Sequence, residues 1–331
     1  MKTVLSPSPH FRSPMTIETA MYGVILALLP GALAGLYYFG LNALMVILLS
    51  IAGCLLFEGL VLRARGQGLE PLKDGSAVLT GLLLAMNLPS GIPWWMVLVG
   101  AAVAIGLGKQ VYGGLGYNPF NPALVARVFL LISFPVALTS WPEPRPLSLS
   151  LDAVTKATPL GEMKTSLLLN GNIGEAATMG LFDPLIGKVG GSLGEISAAA
   201  LVLGGLYLLV RKIITWHIPV TYIGTVFAMT GVFWLINPER YASPTFHMVT
   251  GGLMLGAFFM ATDYVTSPVT EKGMILFGVG CGLITVVIRL FGGYPEGVSF
   301  AILLMNAATP LIDRYTRPRV FGYPVGKGAR S

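Results

Sequence analysis

The sequence predicts an all-α polytopic membrane protein, with about ten transmembrane helices in a 5+5 inverted repeat and one long extracytoplasmic loop. Hydrophobic residues make up 54% of the 331 positions, charged residues only 11%, and the mean hydropathy is +0.75. Soluble domains have about 25% charged residues. The 42 glycines fit membrane helices, whose backbones approach closely at small residues.

Apolar segments of the length that crosses a bilayer, ~20 residues, define ten predicted spans. The third and fourth are short and have glycine and proline at their ends, which favours helices that break around a protein-lined cavity. The predicted spans are 17–39, 41–62, 76–88, 94–107, 122–139, 193–210, 218–236, 246–262, 274–291 and 298–312.

The lysines and arginines favour one orientation, because cytoplasmic loops contain an excess of them. With the amino terminus inside, 14 of the 21 lie in cytoplasmic flanks, five lie outside and two lie within spans. The chain then divides into a first membrane half (1–139), an extracytoplasmic loop (140–192) and a second membrane half (193–331), with both termini cytoplasmic. We expect a multi-pass protein of the cytoplasmic membrane, surrounded by lipid.

The net charge of +6 is explained by this topology, and no basic run with interleaved aromatic residues predicts a nucleic-acid partner. The amino terminus has no small-residue cleavage site, so we expect the first helix to remain as an anchor.

The two halves resemble each other. Residues 80–86 resemble 250–256, and the glycine turn and helix of 113–139 resemble those of 292–312, at offsets of 170 and 179 residues. An odd number of spans in each half inverts the second copy, a plan common in transporters. Such similarity also arises by chance between glycine-rich apolar helices.

Five ionisable residues lie in or beside predicted spans, where such groups are costly and are candidates for function. Ordinary interpretations exist, since Glu58 and Arg289 can extend to the interface and Asp263 can cap a turn. The five residues are Glu58, Arg127, His247, Asp263 and Arg289.

The segment 118–122, Asn-Pro-Phe-Asn-Pro, follows a glycine-rich turn. Each Asn-Pro step disfavours helix at the asparagine, so backbone groups remain to be satisfied at membrane depth. This arrangement predicts an ion or cofactor site at Asn118 and Asn121.

Several enzyme classes are excluded by the absence of their motifs. The sequence has no P-loop, no HExxH, no nucleophile elbow and no dinucleotide fingerprint between a strand and a helix, so it predicts no catalytic residue and no metal ligand. Cys54 and Cys281 lie in apolar segments without a CxxC pair and are expected to be buried. Any iron–sulfur cluster is therefore expected mainly on a partner.

The one long polar loop contains Asp152-Ala153-Val154-Thr155-Lys156-Ala157-Thr158-Pro159-Leu160. Polar loops beyond about 12–15 residues are usually functional or disordered. The ordinary interpretation of this segment is a helix start, with threonine capping and Pro159 at the first helical position.

Together these segments resemble the NqrB/RnfD family, and most of all the RnfD subunit of the Rnf complex, an ion-translocating ferredoxin:NAD oxidoreductase. More distantly, the chain is similar to the NqrB subunit of the Na-translocating NADH:quinone oxidoreductase. About sixteen residues precede the first span, which favours the Rnf subunit. The similar segments are 113–123, 152–160, 250–263, 266–270 and 289–297.

The resemblance implies FMN joined by a phosphoester to Thr158, attached by a flavin transferase that uses FAD. Lys156 stands where the family has glycine, a departure that either weakens recognition by the transferase or places a cation beside the phosphate. The resemblance also implies a second, noncovalent flavin, riboflavin, in the membrane domain. The neighbouring positions of the motif are Asp152, Thr155, Lys156, Ala157 and Pro159. The candidates for riboflavin or an ion path are Asn118, Asn121, Arg127 and Asp263.

The implied function is electron transfer coupled to Na⁺ or H⁺ translocation, by a redox subunit that is not a complete enzyme alone. The implied partners are a second FMN subunit, two small integral membrane subunits, and iron–sulfur and NAD-binding subunits. Alternatives are the quinone-reductase subunit, an inverted-repeat solute or ion channel, and a structural scaffold.

Overall fold

The computed structural model describes residues 16–146, 157–170, 173, 182–187 and 189–318. Helices dominate these residues, as the composition predicts. They are α1 (Ile17–Ala64), α2 (Ser76–Met86), α3 (Trp94–Ile105), α4 (Pro122–Ser133), α5 (Pro135–Thr139), α6 (Pro159–Asn170), α7 (Phe182–Ile186), α8 (Ala198–Val210), α9 (His217–Ile236), α10 (Pro244–Val249), α11 (Leu253–Leu255), α12 (Glu271–Phe291) and α13 (Val298–Thr316).

In the described part of the chain, α1, α9 and α12 are long and apolar enough to cross a membrane, and shorter apolar helices accompany them. As one straight helix, the 48 residues of α1 would extend roughly 70 Å, more than twice the ~30 Å core of a bilayer. The helix is interrupted at Gly40, where φ is 57° and ψ is −134°. That break separates the first two predicted spans.

Proline and glycine divide two predicted spans into shorter helices. The span 122–139 is wrong as one helix, because Phe134 precedes a proline and leaves the helical region with φ −133° and ψ 59°. The span 246–262 is also wrong as one helix. It contains α10, α11 and a π-helix (Gly256–Met260), and Gly251 between α10 and α11 has φ +71°.

Helix α2 ends inside the protein. Its 11 residues extend roughly 16 Å, about half of a bilayer core. The carbonyls of Met86 and Leu88 accept hydrogen bonds from the N–H groups of Gly194 and Leu193 at 2.7 and 3.1 Å. The span predicted from 193 therefore begins later, with α8 at Ala198, because the preceding residues satisfy the end of α2.

The packing joins the two halves of the chain. Helix α1 packs against α2, α3 and α8, while α12 packs against α9 and α13. The halves meet where α1 contacts α8 and where α4 contacts α13. At the first contact Gly204 is required, since a Cβ there would overlap the backbone oxygen of Ala27.

Candidate functional site

Thr158 lies directly before α6. Its carbonyl accepts a hydrogen bond from Glu162 N at 2.8 Å, and its Oγ1 accepts one from Gly161 N at 3.1 Å. The predicted helix start, with a threonine cap and Pro159 as first helical residue, is therefore confirmed. The remaining polar positions of the motif lie outside the described residues: Asp152, Thr155 and Lys156.

Helix α6 packs against the second half of the chain. Leu160 and Met163 are buried in a small apolar cluster with Ala242 and Phe246. Because Leu160 is two residues from Thr158, this packing fixes the start of α6 against α10.

A cavity of about 290 Å³ lies beside Thr158. Its walls come from α6, from α4, and from the segments that follow α5, α10 and α12. The charged side chains that line it are Arg127, Lys164, Glu195 and Glu296, and the aromatic ones are Trp141, Tyr294 and Phe300.

Lys164 lines this cavity from the middle of α6. Its Nζ donates a hydrogen bond to the carbonyl of Tyr294 at 2.8 Å, and partial burial lowers the pKa of Lys164 below its ordinary value. The Tyr294 ring stacks on Phe300 with 5.4 Å between centroids. The loop after α12 is thus tied to α6 on one side and to α13 on the other.

Arg127, on α4, also lines the cavity. The side chain is 4% exposed, and its Nη2 donates to Glu296 Oε2 at 3.1 Å. The guanidinium carbon lies 5.8 Å from the centre of the Trp141 ring, within the range of a cation–π contact. The charge of Arg127 is therefore held at a fixed place in the cavity wall.

Two carboxylates converge beside this arginine. Glu296 Oε1 accepts a hydrogen bond from Gly252 N, and Glu195 Oε1 accepts one from Ser192 Oγ at 2.7 Å. A Cβ on Gly252 would lie 2.6 Å from Glu296 Oε1 and 3.7 Å from Glu195 Oε1. A side chain at position 252 would therefore displace the Glu296 carboxylate from its present place.

Arg289 has a structural role at the end of α10. It is 2% exposed and donates to the carbonyls of His247 and Thr250 at 2.6 and 3.1 Å. The interpretation that Arg289 extends to the interface is wrong, since its charge caps helix carbonyls inside the protein. His247 is fully buried, and its ring nitrogens have no hydrogen-bond partner within the described residues.

Glu58 is likewise buried. Lys109 Nζ lies 2.7 and 2.9 Å from the two Glu58 oxygens, and both side chains are 2% exposed. Gln110 Nε2 donates to Glu58 at 2.9 Å, and Lys109 donates to Ser76 Oγ at 2.6 Å. The interpretation that Glu58 extends to the interface is wrong, because it forms a buried ion pair between α1 and the π-helix that follows α3 (Gly106–Gln110).

Asn118, Asn121 and Asp263 line a second, smaller cavity of about 80 Å³, away from Arg127. Asn121 Oδ1 accepts from Ala123 N at 3.1 Å and caps α4, while its Nδ2 donates to the carbonyl of Met260 at 3.3 Å. Asp263 accepts from Thr266 Oγ1 at 3.2 Å, so its predicted turn-capping role is confirmed.

The smaller cavity does not fit a flavin. Binding sites for molecules of drug size enclose about 300–1,000 Å³, and this cavity has about 80 Å³. Riboflavin therefore stays a prediction from the resemblance, and we assign no step to it at these residues.

The apolar helices, several of them interrupted, define the class of the protein, a polytopic helical membrane protein. Its cavity is lined by charged side chains and lies next to α6. The chain belongs to the NQR2, RnfD, RnfE family, whose family model matches residues 4–322. The resemblance found in the sequence is thereby confirmed.

Three relatives are similar over nearly their whole length. The D subunit of the proton-translocating ferredoxin:NAD(+) oxidoreductase complex of Clostridium ljungdahlii is 49% identical over 323 residues, 96% of each chain. The D subunit of the Na(+)-translocating ferredoxin:NAD(+) oxidoreductase complex of Acetobacterium woodii is 47% identical over 323 residues, 97% of this chain and 96% of the relative. The D subunit of the ion-translocating oxidoreductase complex of Escherichia coli is 40% identical over 351 residues, 97% of this chain and 99% of the relative.

Proposed function

We propose that this chain is the membrane subunit of an Rnf-type ion-translocating electron-transport complex and holds FMN by a phosphoester to Thr158. The observation that carries the proposal is the position of Thr158, at the start of α6 and beside a cavity of about 290 Å³. Similarity to relatives named as D subunits of such complexes supports it. Those two names differ in the ion, so the proposal covers coupling to either Na⁺ or H⁺.

The surroundings of Thr158 suit a phosphate. At the start of the 12-residue helix α6 the backbone N–H of Gly161 donates to Thr158 Oγ1, the oxygen that would form the ester, and the helix dipole favours an anion there. Lys164 lines the same cavity and supplies positive charge. Burial lowers the pKa of Lys164, and the single negative charge of a phosphodiester at Thr158 would favour the protonated amine.

The rest of the cavity suits a planar ring. Trp141 and the stacked pair of Tyr294 and Phe300 provide flat apolar surface. FMN, when bound, supplies the electron chemistry, while the chain supplies the tether, the position and the electrostatic surroundings. An ester through the phosphate keeps the cofactor from being lost to water and leaves its ring free.

In this proposal the chain crosses the cytoplasmic membrane ten times as a 5+5 inverted repeat, with both termini inside and the Thr158 segment outside. The distribution of lysine and arginine supports the orientation. The interrupted segments α2 and α10–α11, which belong to the sequence-similar parts of the two halves, support the repeat. The proposed partners are a flavin transferase, a second FMN subunit, two small integral membrane subunits, and iron–sulfur and NAD-binding subunits.

The intact mass of the purified subunit, produced together with a flavin transferase, tests the proposal. We expect an FMN-sized increment in the parent and none in Thr158→Ala. Thr165→Ala is the matched control, because Thr165 lies on the same helix and donates only to the carbonyl of Gly161, at 2.9 Å. An increment that persists in Thr158→Ala, or is absent from the parent, contradicts the assignment.

An inverted-repeat channel is the second candidate, favoured by the half-length helix α2 and the break at Gly251. Ion or solute uptake by the isolated subunit in liposomes would support it. Uptake that appears only with electron flow through the assembled complex would favour the redox subunit.

A further inference from the structure

Arg127 has more hydrogen-bond donors than the described residues satisfy. A guanidinium has five N–H groups, and the recorded bond of Arg127 is the one from Nη2 to Glu296. Its Nε and Nη1 atoms are buried without an acceptor in the part of the chain that the structure describes. A charged donor left unpaired in a buried position is costly, which indicates that a ligand supplies the acceptors.

The direction of these donors is fixed by three contacts. Glu296 holds one side of the guanidinium, and Glu296 is itself held by Gly252 N. Trp141 lies against the guanidinium at 5.8 Å. All three side chains line the cavity of Thr158, so a ligand in that cavity meets a planar cation that is already oriented.

Two parts of FMN contain acceptors, the phosphate and the pyrimidine edge of the ring. The phosphate on Thr158 has donors of its own, the backbone N–H of Gly161, which points at Thr158 Oγ1, and the amine of Lys164. Arg127 lies on α4, in a wall contributed by a different part of the chain, beside an aromatic surface that suits a ring. The ring edge is therefore the better partner for its free donors.

We infer that the Arg127 guanidinium binds the carbonyl and nitrogen acceptors of the flavin ring and stabilises the ring more strongly when it is reduced. The inference rests on the proposed function. Its physical reason is electrostatic, since reduction adds electron density to the pyrimidine edge and a fixed cation there favours the added charge.

The first test uses the ring without the phosphate. Riboflavin is titrated into purified Thr158→Ala protein and into the Thr158→Ala, Arg127→Gln double variant, and binding is followed by quenching of riboflavin fluorescence. Loss of a charge-assisted hydrogen bond is expected to weaken binding roughly tenfold or more. Equal binding in both proteins, including none in either, overturns the inference.

The second test measures the attached cofactor. Spectroelectrochemical titration of the flavinylated subunit is expected to give a more negative midpoint potential in Arg127→Gln than in the parent, with Arg127→Lys between them. A tenfold preference for the reduced ring corresponds to ~30 mV in a two-electron couple. An unchanged potential in a fully flavinylated Arg127→Gln protein overturns the inference.

One further variant separates this role from others. Arg127→Gln with Glu296→Gln removes both charges of the ion pair, so Glu296 is not left as a carboxylate without its partner, and the test stays usable if the single variant misfolds. If Arg127→Gln lowers the extent of FMN attachment while riboflavin affinity is unchanged, Arg127 binds the phosphate and the inference is wrong. A parent without covalent FMN refutes the proposed function instead, and the riboflavin titration still decides the role of Arg127.

Discussion

The buried ion pair between Lys109 and Glu58 predicts a large loss of stability from a small chemical change. Glu58→Gln keeps nearly the same shape but leaves the Lys109 ammonium, which is 2% exposed, without a carboxylate. The change removes the negative charge and one of the two acceptors, which lie at 2.7 and 2.9 Å from that ammonium, because the amide keeps a single acceptor oxygen. Besides that oxygen, Ser76 Oγ at 2.6 Å stays a partner of Lys109.

The magnitude follows from this geometry. Removing one partner of a buried pair costs about 3–5 kcal/mol, because the other charge stays buried without compensation. Replacing both partners by apolar residues of similar volume is often neutral or better. Glu58→Leu with Lys109→Met should therefore recover most of the loss, short of the ~1 kcal/mol expected for the hydrogen bond that Gln110 gives to Glu58.

The assay is unfolding of the purified protein in mixed micelles, by titration with a denaturing detergent and far-UV circular dichroism. Lys73→Met is the matched control, because Lys73 pairs with Glu70 at 3.2 Å but both side chains are exposed, 71% and 83%. That change should alter stability by about 0–1 kcal/mol. The reasoning is refuted if Glu58→Leu with Lys109→Met loses as much stability as Glu58→Leu and Lys109→Met lose separately, added together. It is also refuted if Lys73→Met loses as much stability as Glu58→Gln.

Two further predictions concern packing and the cofactor cavity. Gly204→Ala should destabilise the protein by about 1–3 kcal/mol in the same unfolding assay, since its Cβ would overlap the backbone of Ala27, whereas Gly224→Ala has open space and should be neutral or slightly stabilising. Burial lowers the pKa of Lys164, so more of its amine is neutral at mildly alkaline pH. Amine-reactive labelling of Lys164, followed by peptide mass spectrometry, should be faster in Thr158→Ala than in the flavinylated protein, where the phosphate favours the protonated amine.

The membrane spans could be predicted from the sequence where their limits depend on local chemistry. The break at Gly40 and the start of α6 at Pro159 follow from glycine and proline conformation. The start of α8 could not be predicted. Leu193 and Gly194 lie before α8 and donate hydrogen bonds to the carbonyls at the end of α2. That arrangement depends on a tertiary contact across more than 100 residues of chain, which apolar segment length does not report.

The candidate site was predicted unevenly for a similar reason. Thr158 was found from its motif, which is local. In the sequence, Lys109 is one of the 14 lysines and arginines of the cytoplasmic flanks. Its pairing with Glu58, 51 positions away, is visible only in the structure. Glu195 lies inside the predicted span 193–210, and Glu296 lies in one of the segments that resemble the family. In both cases the signal in the sequence is a carboxylate in or next to an apolar span.

The segment Tyr294–Glu296 connects the parts of the cavity that come from distant regions of the chain. The carbonyl of Tyr294 accepts the hydrogen bond of Lys164 from α6, and Glu296 pairs with Arg127 from α4. One short loop after α12 therefore holds both the helix that presents Thr158 and the arginine assigned to the flavin ring. Arg127 comes from the first half of the chain and the Tyr294–Glu296 loop from the second half. The cavity therefore exists only when the two halves are packed together.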